Sequence, residues 1–598
     1  MNQPSNQSPA FDTALWWRRA EHASLGTSDL PLGWDGQMHA ATRGVQMLDR
    51  DLATQALARL VQVPPPSELH PALALLQARF ELRWGQPDSA RAALKQLATT
   101  ADAATRARAW HSLGVLHIQR DKPALGELAL VEALRLAEES PSRNWILDSL
   151  GQAAMWQGAW TEARYLYHQS TRHKQSDGDT LGIAITLGNV ALLELGLGNA
   201  QAAVQACQQA LSQPGLPALT RLRLQTLLLQ GLLDSETGAE QAAMLAADRL
   251  AATAALCGPT PHHLKGFAAL ARARAQSEAT ARETLLAQAE VNFSAPAERA
   301  LVHYWRARLS PGTAGATLAE DTRSLLANVP GPCEAELLTE LLLAQRAQQA
   351  SDAPRMLAHL QRADRVALRG ANPLWVERVD RVYRQLDPGG FGDRVTARFT
   401  GRAASELSRG REEIVTSIFA DVVGFTRRFE KLGAQEVMDT IRSVFERAVP
   451  LFERHRVRPH QYQGDGLVAE AQGPNHESRA IAFAKELLTC MNRTSLVRTI
   501  TGDPFGLQIR VGVATGLVVT GALGSQYKME YLSIGRSVNM AARLQAEAQP
   551  GELVCAQATA KAAGQPGQLE EFQLKGFAEK QQGLRIAPGL GDLAEALA

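Results

Sequence analysis

From about residue 38 to residue 385, apolar positions recur at three- and four-residue intervals, and strand-like runs are few. This stretch is rich in Ala, Leu, Gln, Glu and Arg, which lose little side-chain freedom in a helix. The pattern predicts a long helical region. Leu386-Asp387-Pro388-Gly389-Gly390-Phe391-Gly392 then breaks it, and a segment with several arginines follows. After about residue 412 the pattern changes. Apolar runs such as Ile418-Phe419-Ala420-Asp421-Val422-Val423 and Ile509-Arg510-Val511-Gly512-Val513 predict buried strands, and helix-like stretches lie between them. The chain of 598 residues is long enough for several domains. It divides into an N-terminal segment (1–37), a helical region (38–385), a linker (386–411), a mixed block (412–590) and a C-terminal tail (591–598).

A repeat lies inside the helical region. Gly85, Gly158, Gly198 and Gly238 are each followed five positions later by an alanine: Ala90, Ala163, Ala203 and Ala243. Asp51 and Ala56 fit the same spacing. The step is 34 residues from Asp51 to Gly85 and 40 for each step from Gly158. Physically this reads as a helix pair, in which the glycine makes the turn and the small alanine lets the second helix pack closely on the first. The units resemble tetratricopeptide repeats, with longer and irregular periods. Beyond about residue 250 the repeat is degenerate, although Ala269–Ala273 and Glu334–Leu338 stay helical in pattern. A solenoid of such pairs exposes a long concave surface, so a protein partner on this arm is expected.

Charge and cysteine content narrow the classes. Acidic and basic residues nearly cancel, leaving a net charge of +1, so no strong field draws nucleic acid or anionic lipid. The five cysteines are scattered and form no Cys-x-x-Cys pair. That suits buried thiols in a reducing compartment better than disulfides or structural zinc. No apolar run is long enough for a signal peptide or a membrane span, so a cytoplasmic, soluble chain is expected.

The candidate chemistry sits in two short phrases of the mixed block. Asp421 ends an apolar run and is followed by Gly424, Phe425 and Thr426; Asp465 stands in Gln463-Gly464-Asp465-Gly466. A carboxylate at the end of a buried strand is costly unless it meets a cation or a donor. A pair of them can hold Mg²⁺, which takes its remaining ligands from water and substrate phosphates. The helix-like stretch after Thr426 offers backbone N–H groups to a phosphate, though a simple N-cap serves equally at Thr426. Arg510, inside an apolar strand, needs a phosphate or a carboxylate partner. Asn539 and Arg543, four apart among Val538, Met540, Ala541, Ala542 and Leu544, share one face of a helix.

From about Glu412 to Pro588 these phrases, in this order, resemble the catalytic domain of class III nucleotidyl cyclases, which convert a nucleoside triphosphate to a 3′,5′-cyclic nucleotide and pyrophosphate. The match includes Gln508–Gly516, Tyr531–Leu544 and Leu574-Lys575-Gly576-Phe577. The resemblance implies a ferredoxin-like domain that pairs head to tail, so the expected fold is an α-solenoid followed by this cyclase domain. It implies that Asp421 and Asp465 hold two Mg²⁺ (or Mn²⁺) ions per site. Gly424, Phe425, Thr426, Arg510 and Lys575 would lie along the triphosphate, although an exposed turn serves as well for Lys575. Asn539 and Arg543 would act on substrate held by the aspartates of a second copy, in a homodimer.

Two positions depart from the family's usual pattern. Adenylyl cyclases typically carry a lysine four residues before the second metal aspartate, where this chain has Gln461. They carry Asp or Thr three residues before the glycine that opens the Asn-Arg helix, where this chain has Leu532. Guanylyl cyclases typically use Glu and Cys there. Gln461 can donate and accept, and so pair with either purine; Leu532 can do neither. An adenylate cyclase acting on ATP is the expected activity. GTP use, or a nucleotide-binding scaffold with little turnover, stands as the alternative.

Overall fold

The structure is a computed structural model. It describes residues 33–47, 50–120, 122–137, 141–235, 247–252, 262–327, 329, 333–369, 373–391, 411–425, 433–463, 466–503, 506–525 and 528–597. The region before the linker is helical throughout its described length, from Trp34–Met47 to Pro373–Leu386. Neighbouring helices pack on one another and touch the next but one, so the helices stack into an arm. The helices used below are α1 (Ala103–Gln119), α2 (Pro123–Leu136), α3 (Pro141–Trp156), α4 (Trp160–Asp177) and α5 (Thr180–Gly196).

The glycine–alanine rule explains how the pairs close. Gly158 and Gly198 have φ of +77° and +76°, the left-handed conformation that a side chain resists, and each turns the chain between two helices. Ala90, Ala163 and Ala203 are all buried, so each small side chain sits at a helix–helix contact. Gly238 and Ala243 lie outside the described residues. Past residue 250 the pairing continues in helices such as Ala279–Asn292, Pro296–Leu309 and Ala353–Arg369, although the sequence period has faded. Packing needs only an apolar stripe of helical period, and a fixed repeat length is not required.

After the linker, eight strands among the described residues form one sheet: β1 (Arg411–Val422), β2 (Arg458–Gln463), β3 (Gly466–Ala471), β4 (Ile509–Ser525), β5 (Lys528–Ile534), β6 (Leu553–Ala556), β7 (Leu569–Phe572) and β8 (Gln581–Ile586). Their order is β2-β3-β1-β4-β6-β8-β7, with β5 paired to β4. Only the β4–β6 pair is parallel. Helices α6 (Ala434–His455) and α7 (His476–Ile500) cover one face, and α8 (Arg536–Glu547) covers part of the other. A short last helix, α9 (Leu593–Leu597), packs on the arm, with Ala596 fully buried there. The fold class is the one expected from the sequence.

Strand alternation sorts the central residues between the two faces. Ile418, Ala420 and Val422 of β1, with Ile509, Val511 and Val513 of β4, join the core under α6 and α7. Phe419 and Ala514 point the other way and join Ala541 and Leu544 of α8. Gly512 is the contact point for that helix. A Cβ at Gly512 would lie 2.1 Å from Ala541 O and 2.3 Å from Gln545 N, so no side chain fits beneath α8.

Gly512→Ala should therefore push α8 off the sheet and destabilise the domain by about 1–3 kcal/mol. Thermal unfolding of the full chain measures this. An unchanged transition would mean that the helix does not rest on Gly512.

Candidate active site

Asp421, the penultimate residue of β1, lies half-buried on the α8 face of the sheet. The register places it opposite Arg510 of β4 on one side and Gly466 of β3 on the other. Arg510 Nη2 donates to Asp421 Oδ2 at 3.0 Å, and Gln545 Nε2 of α8 donates to the same oxygen at 3.3 Å. Thus the carboxylate partner that the sequence allowed for Arg510 is Asp421 itself. Among the described residues Asp421 Oδ1 has no protein hydrogen bond. Arg510 Nε is buried and has no partner among the described residues. An unsatisfied guanidinium N–H beside a half-used carboxylate is a polar arrangement open to further ligands. It fits a divalent cation on Asp421 and a phosphate oxygen on Arg510. Among the described residues no group of three or more His, Cys, Asp or Glu side chains surrounds a point. Mg²⁺ requires only one or two carboxylates when phosphates complete its shell.

The other predicted residues fall in three groups. Gly424 (φ +69°) makes the exposed turn after β1; Val423 N–H donates to Gln508 O at 2.9 Å, and Phe425 packs against the core under α6 and α7. Asn539 and Arg543 are exposed on α8, while Ala541 and Leu544 of the same helix are buried. Lys575 is exposed beside Gly576, whose φ is +89°. Asp465 and Thr426 lie outside the described residues. Gln461 belongs to β2, paired with Val468, and Leu532 belongs to β5, paired with Gly521; their side chains are likewise outside. Gly466, which follows Asp465 in the chain, is the residue facing Asp421.

Helix geometry explains why α8 splits its polar side chains. Ala541 and Gln545 are four apart and turn inward, so Gln545 reaches Asp421. Asn539 and Arg543 lie on a different stripe and point to solvent. Gln545 was not among the site residues expected from the sequence. Its signal was the spacing from Ala541, an apolar position that faces the sheet.

A second polar group was also missed. Glu470 of β3 is buried and accepts a hydrogen bond from Ser533 Oγ of β5 at 2.9 Å. Burial pushes its carboxyl up to about 7, with Glu413 adding to the shift and the Ser533 bond opposing it. Strand β3 otherwise reads as an apolar run, Leu467-Val468-Ala469, so nothing local marked Glu470 as paired.

Residues 407–583 match the family described as "Adenylate and Guanylate cyclase catalytic domain". This block is a class III nucleotidyl cyclase catalytic domain of the adenylate/guanylate class. Among curated relatives, the uncharacterized protein Rv1320c of Mycobacterium tuberculosis is 31% identical over 173 residues, covering 27% of this chain and 29% of that protein. The uncharacterized protein Mb1352c of Mycobacterium bovis is 28% identical over 183 residues, covering 29% of this chain and 32% of that protein. The chain thus spans about a third of the length of the curated relatives it matches. Among solved structures, the adenylyl cyclase CyaB from P. aeruginosa is 23% identical with a TM-score of 0.28, covering 30% of this chain and 95% of that one. The guanylyl cyclase Cya2 is 24% identical with a TM-score of 0.28, covering 31% of this chain and 95% of that one. No helix among the described residues is long and apolar enough to cross a membrane.

Glu470 makes stability depend on pH. Between its ordinary value of 4.5 and the folded value of about 7, the native chain keeps a proton that the unfolded chain has lost. Its contribution is therefore lost as pH rises through that window. Glu470→Gln, which is neutral throughout, should melt a few degrees above the parent at about pH 8 and converge with it near about pH 5. Parallel melting curves across that range would overturn the assignment.

Proposed function

We propose that the chain is an adenylate cyclase, converting ATP to 3′,5′-cyclic AMP and pyrophosphate at sites shared between two copies, with the helical arm governing the activity. The observation that carries this reading is the Asp421–Arg510 pair, set opposite Gly466 within a block that matches the cyclase family. Asp421 and Asp465 would hold two Mg²⁺ or Mn²⁺ ions, which supply charge neutralisation of the triphosphate and a lowered pKa for the ribose 3′-hydroxyl. Arg510, released from Asp421 in part or whole, would hold a phosphate oxygen through its spare Nε–H. The turn at Gly424, Phe425 and Thr426 would lie along the phosphates, with Lys575 at their far end.

The exposure of Asn539 and Arg543 supports a shared site. Within one chain it is Gln545, not Arg543, that turns toward Asp421. Arg543 points outward, where a second copy would bring its own Asp421 and substrate. Asn539 would orient the ribose, and Arg543 would stabilise charge on the transferring phosphate. Gln461 and Leu532 are the positions for the base. An amide beside an apolar side chain supports weak discrimination between purines, since few polar readers would be left unpaired by the wrong base. ATP is the proposed substrate, and kcat/KM measured for ATP and GTP decides it. A preference for GTP would overturn the ATP assignment. No turnover of either, with nucleotide still bound, would favour the scaffold reading.

In the full chain, Asp421→Ala or Asp465→Ala should abolish turnover with Mg²⁺ or Mn²⁺ while leaving the fold intact by circular dichroism. Full activity in a folded Asp465→Ala chain would sink the two-metal mechanism.

Mixing Asp421→Ala chains with Arg543→Ala chains tests the shared site. Half of randomly paired dimers are mixed, and each mixed dimer has one site with neither defect. About a quarter of the parental activity should return. No recovery, with mixed dimers demonstrated, would place the whole site within one chain.

A further inference from the structure

The arm and the cyclase domain meet along a buried, charged seam. Glu127 of α2 is buried between two arginines of the cyclase domain, bonding Arg447 of α6 and lying 3.4 Å from Arg493 Nη1 of α7. Burial alone would raise the Glu127 carboxyl, but Arg447 and Arg493 hold it below the ordinary value. Glu162 of α4 accepts from Arg498 of α7 through two nitrogens, at 2.7 and 3.0 Å, and Arg498 also donates to Ser443 of α6 at 3.1 Å. Beside it, Thr161 N–H and Oγ donate to Glu446 of α6 at 2.7 and 2.9 Å. Val497 of α7 packs into the apolar core of the arm itself. The tail closes the far end: Arg493 Nε donates to Leu590 O at 2.6 Å, and His117 of α1 lies 2.7 Å from Ala596 O.

Helices α6 and α7 have a particular place in the chain. Asp421 is next to the end of β1, and the next described helix is α6; Asp465 precedes β3, and the next helix is α7. The arm therefore holds the two helices that follow the two aspartate phrases. It holds them from the face of the sheet opposite Asp421, Arg510 and α8, so it does not cover the site. Buried ion pairs contribute little net stability compared with apolar packing, but they demand one geometry. Two glutamates on the arm answering three arginines on α6 and α7 define where those helices must lie.

We propose that Glu127 and Glu162 are positioning residues of the cyclase: by fixing α6 and α7 against the arm, they steady the helix layer on which β1, β3 and β4, and so Asp421 and Arg510, rest. The proposal rests on the cyclase reading above. It also makes the arm an integral support of the catalytic domain, beyond any role as a tether.

The test uses the full chain with Glu127→Gln and Glu162→Gln, read by kcat for ATP, half-saturating Mn²⁺ and hydrogen exchange. We expect kcat to fall roughly tenfold or more, since small misplacements of reacting groups are costly. We also expect the Mn²⁺ requirement to rise and exchange in α6 and α7 to speed up. The exchanged pair Glu162→Arg with Arg498→Glu should recover most of the loss shown by either change alone, which a general loss of stability would not predict. Should the amide variants fail to fold, Thr161→Val removes only the hydroxyl that donates to Glu446, and the same shifts are expected in smaller measure. Folded variants with unchanged kcat and unchanged exchange in α6 and α7 would overturn the proposal. A parent chain without cyclase activity would overturn the functional reading instead, and exchange in α6 and α7 alone would then judge the seam.

Discussion

A slip of one residue between β1 and β4 would take the site apart. In the observed register Asp421 faces Arg510, and Ile418, Ala420 and Val422 share the opposite face with Ile509, Val511 and Val513. Side chains alternate along a strand, so the pairing that buries the six apolar residues is the one that brings carboxylate and guanidinium together. The core and the site are thus one constraint. The apolar residues hold the register because moving them to the α8 face would expose them. The charged pair needs no separate force to assemble it, and each of its members keeps bonding capacity for a ligand.

The same alternation limits α8. Gly512 and Gly516 lie on the site face of β4, with backbone or side-chain atoms of α8 pressed close to each. That closeness lets Gln545 reach down to Asp421 and turns Asn539 and Arg543 outward. A helix raised by one methyl group would lose this division between inward and outward stripes. The seam works by a different physical rule. Where α8 meets the sheet through small residues and apolar contact, α6 and α7 meet the arm largely through buried carboxylates and guanidinium groups, whose directional bonds tolerate little sliding. The Arg447 Nε and Nη1 atoms are buried without partners among the described residues, so the seam leaves two donors unsatisfied.

Parts of this architecture were legible because they follow from local pattern. The helical period, the left-handed turn glycines at Gly158 and Gly198, and the buried alanines five residues on are all local consequences of sterics. So is the strand carrying Asp421. Sharing of a helix face by Asn539 and Arg543 follows from spacing alone. In contrast, Gln545, Glu470 and the seam residues carried no such mark. Glu127 sits in Pro123–Leu136 among apolar neighbours and reads there as a stray surface charge. Arg447 reads as an ordinary helix arginine.

By itself, the sequence determined the kinds of element, their order, the two-part division, and the residue types with chemistry to offer, because helix and strand periods and turn sterics act over a few residues. Only the tertiary structure decided that Arg510 answers Asp421, that Gln545 rather than Arg543 approaches it within one chain, and that the arm and tail grip α6 and α7. Those outcomes join residues as far apart as Glu127 and Arg447 or His117 and Ala596. A charge or an amide has many partners available in a sequence. Which one it meets depends on the packing of distant apolar faces, and so on the whole core at once.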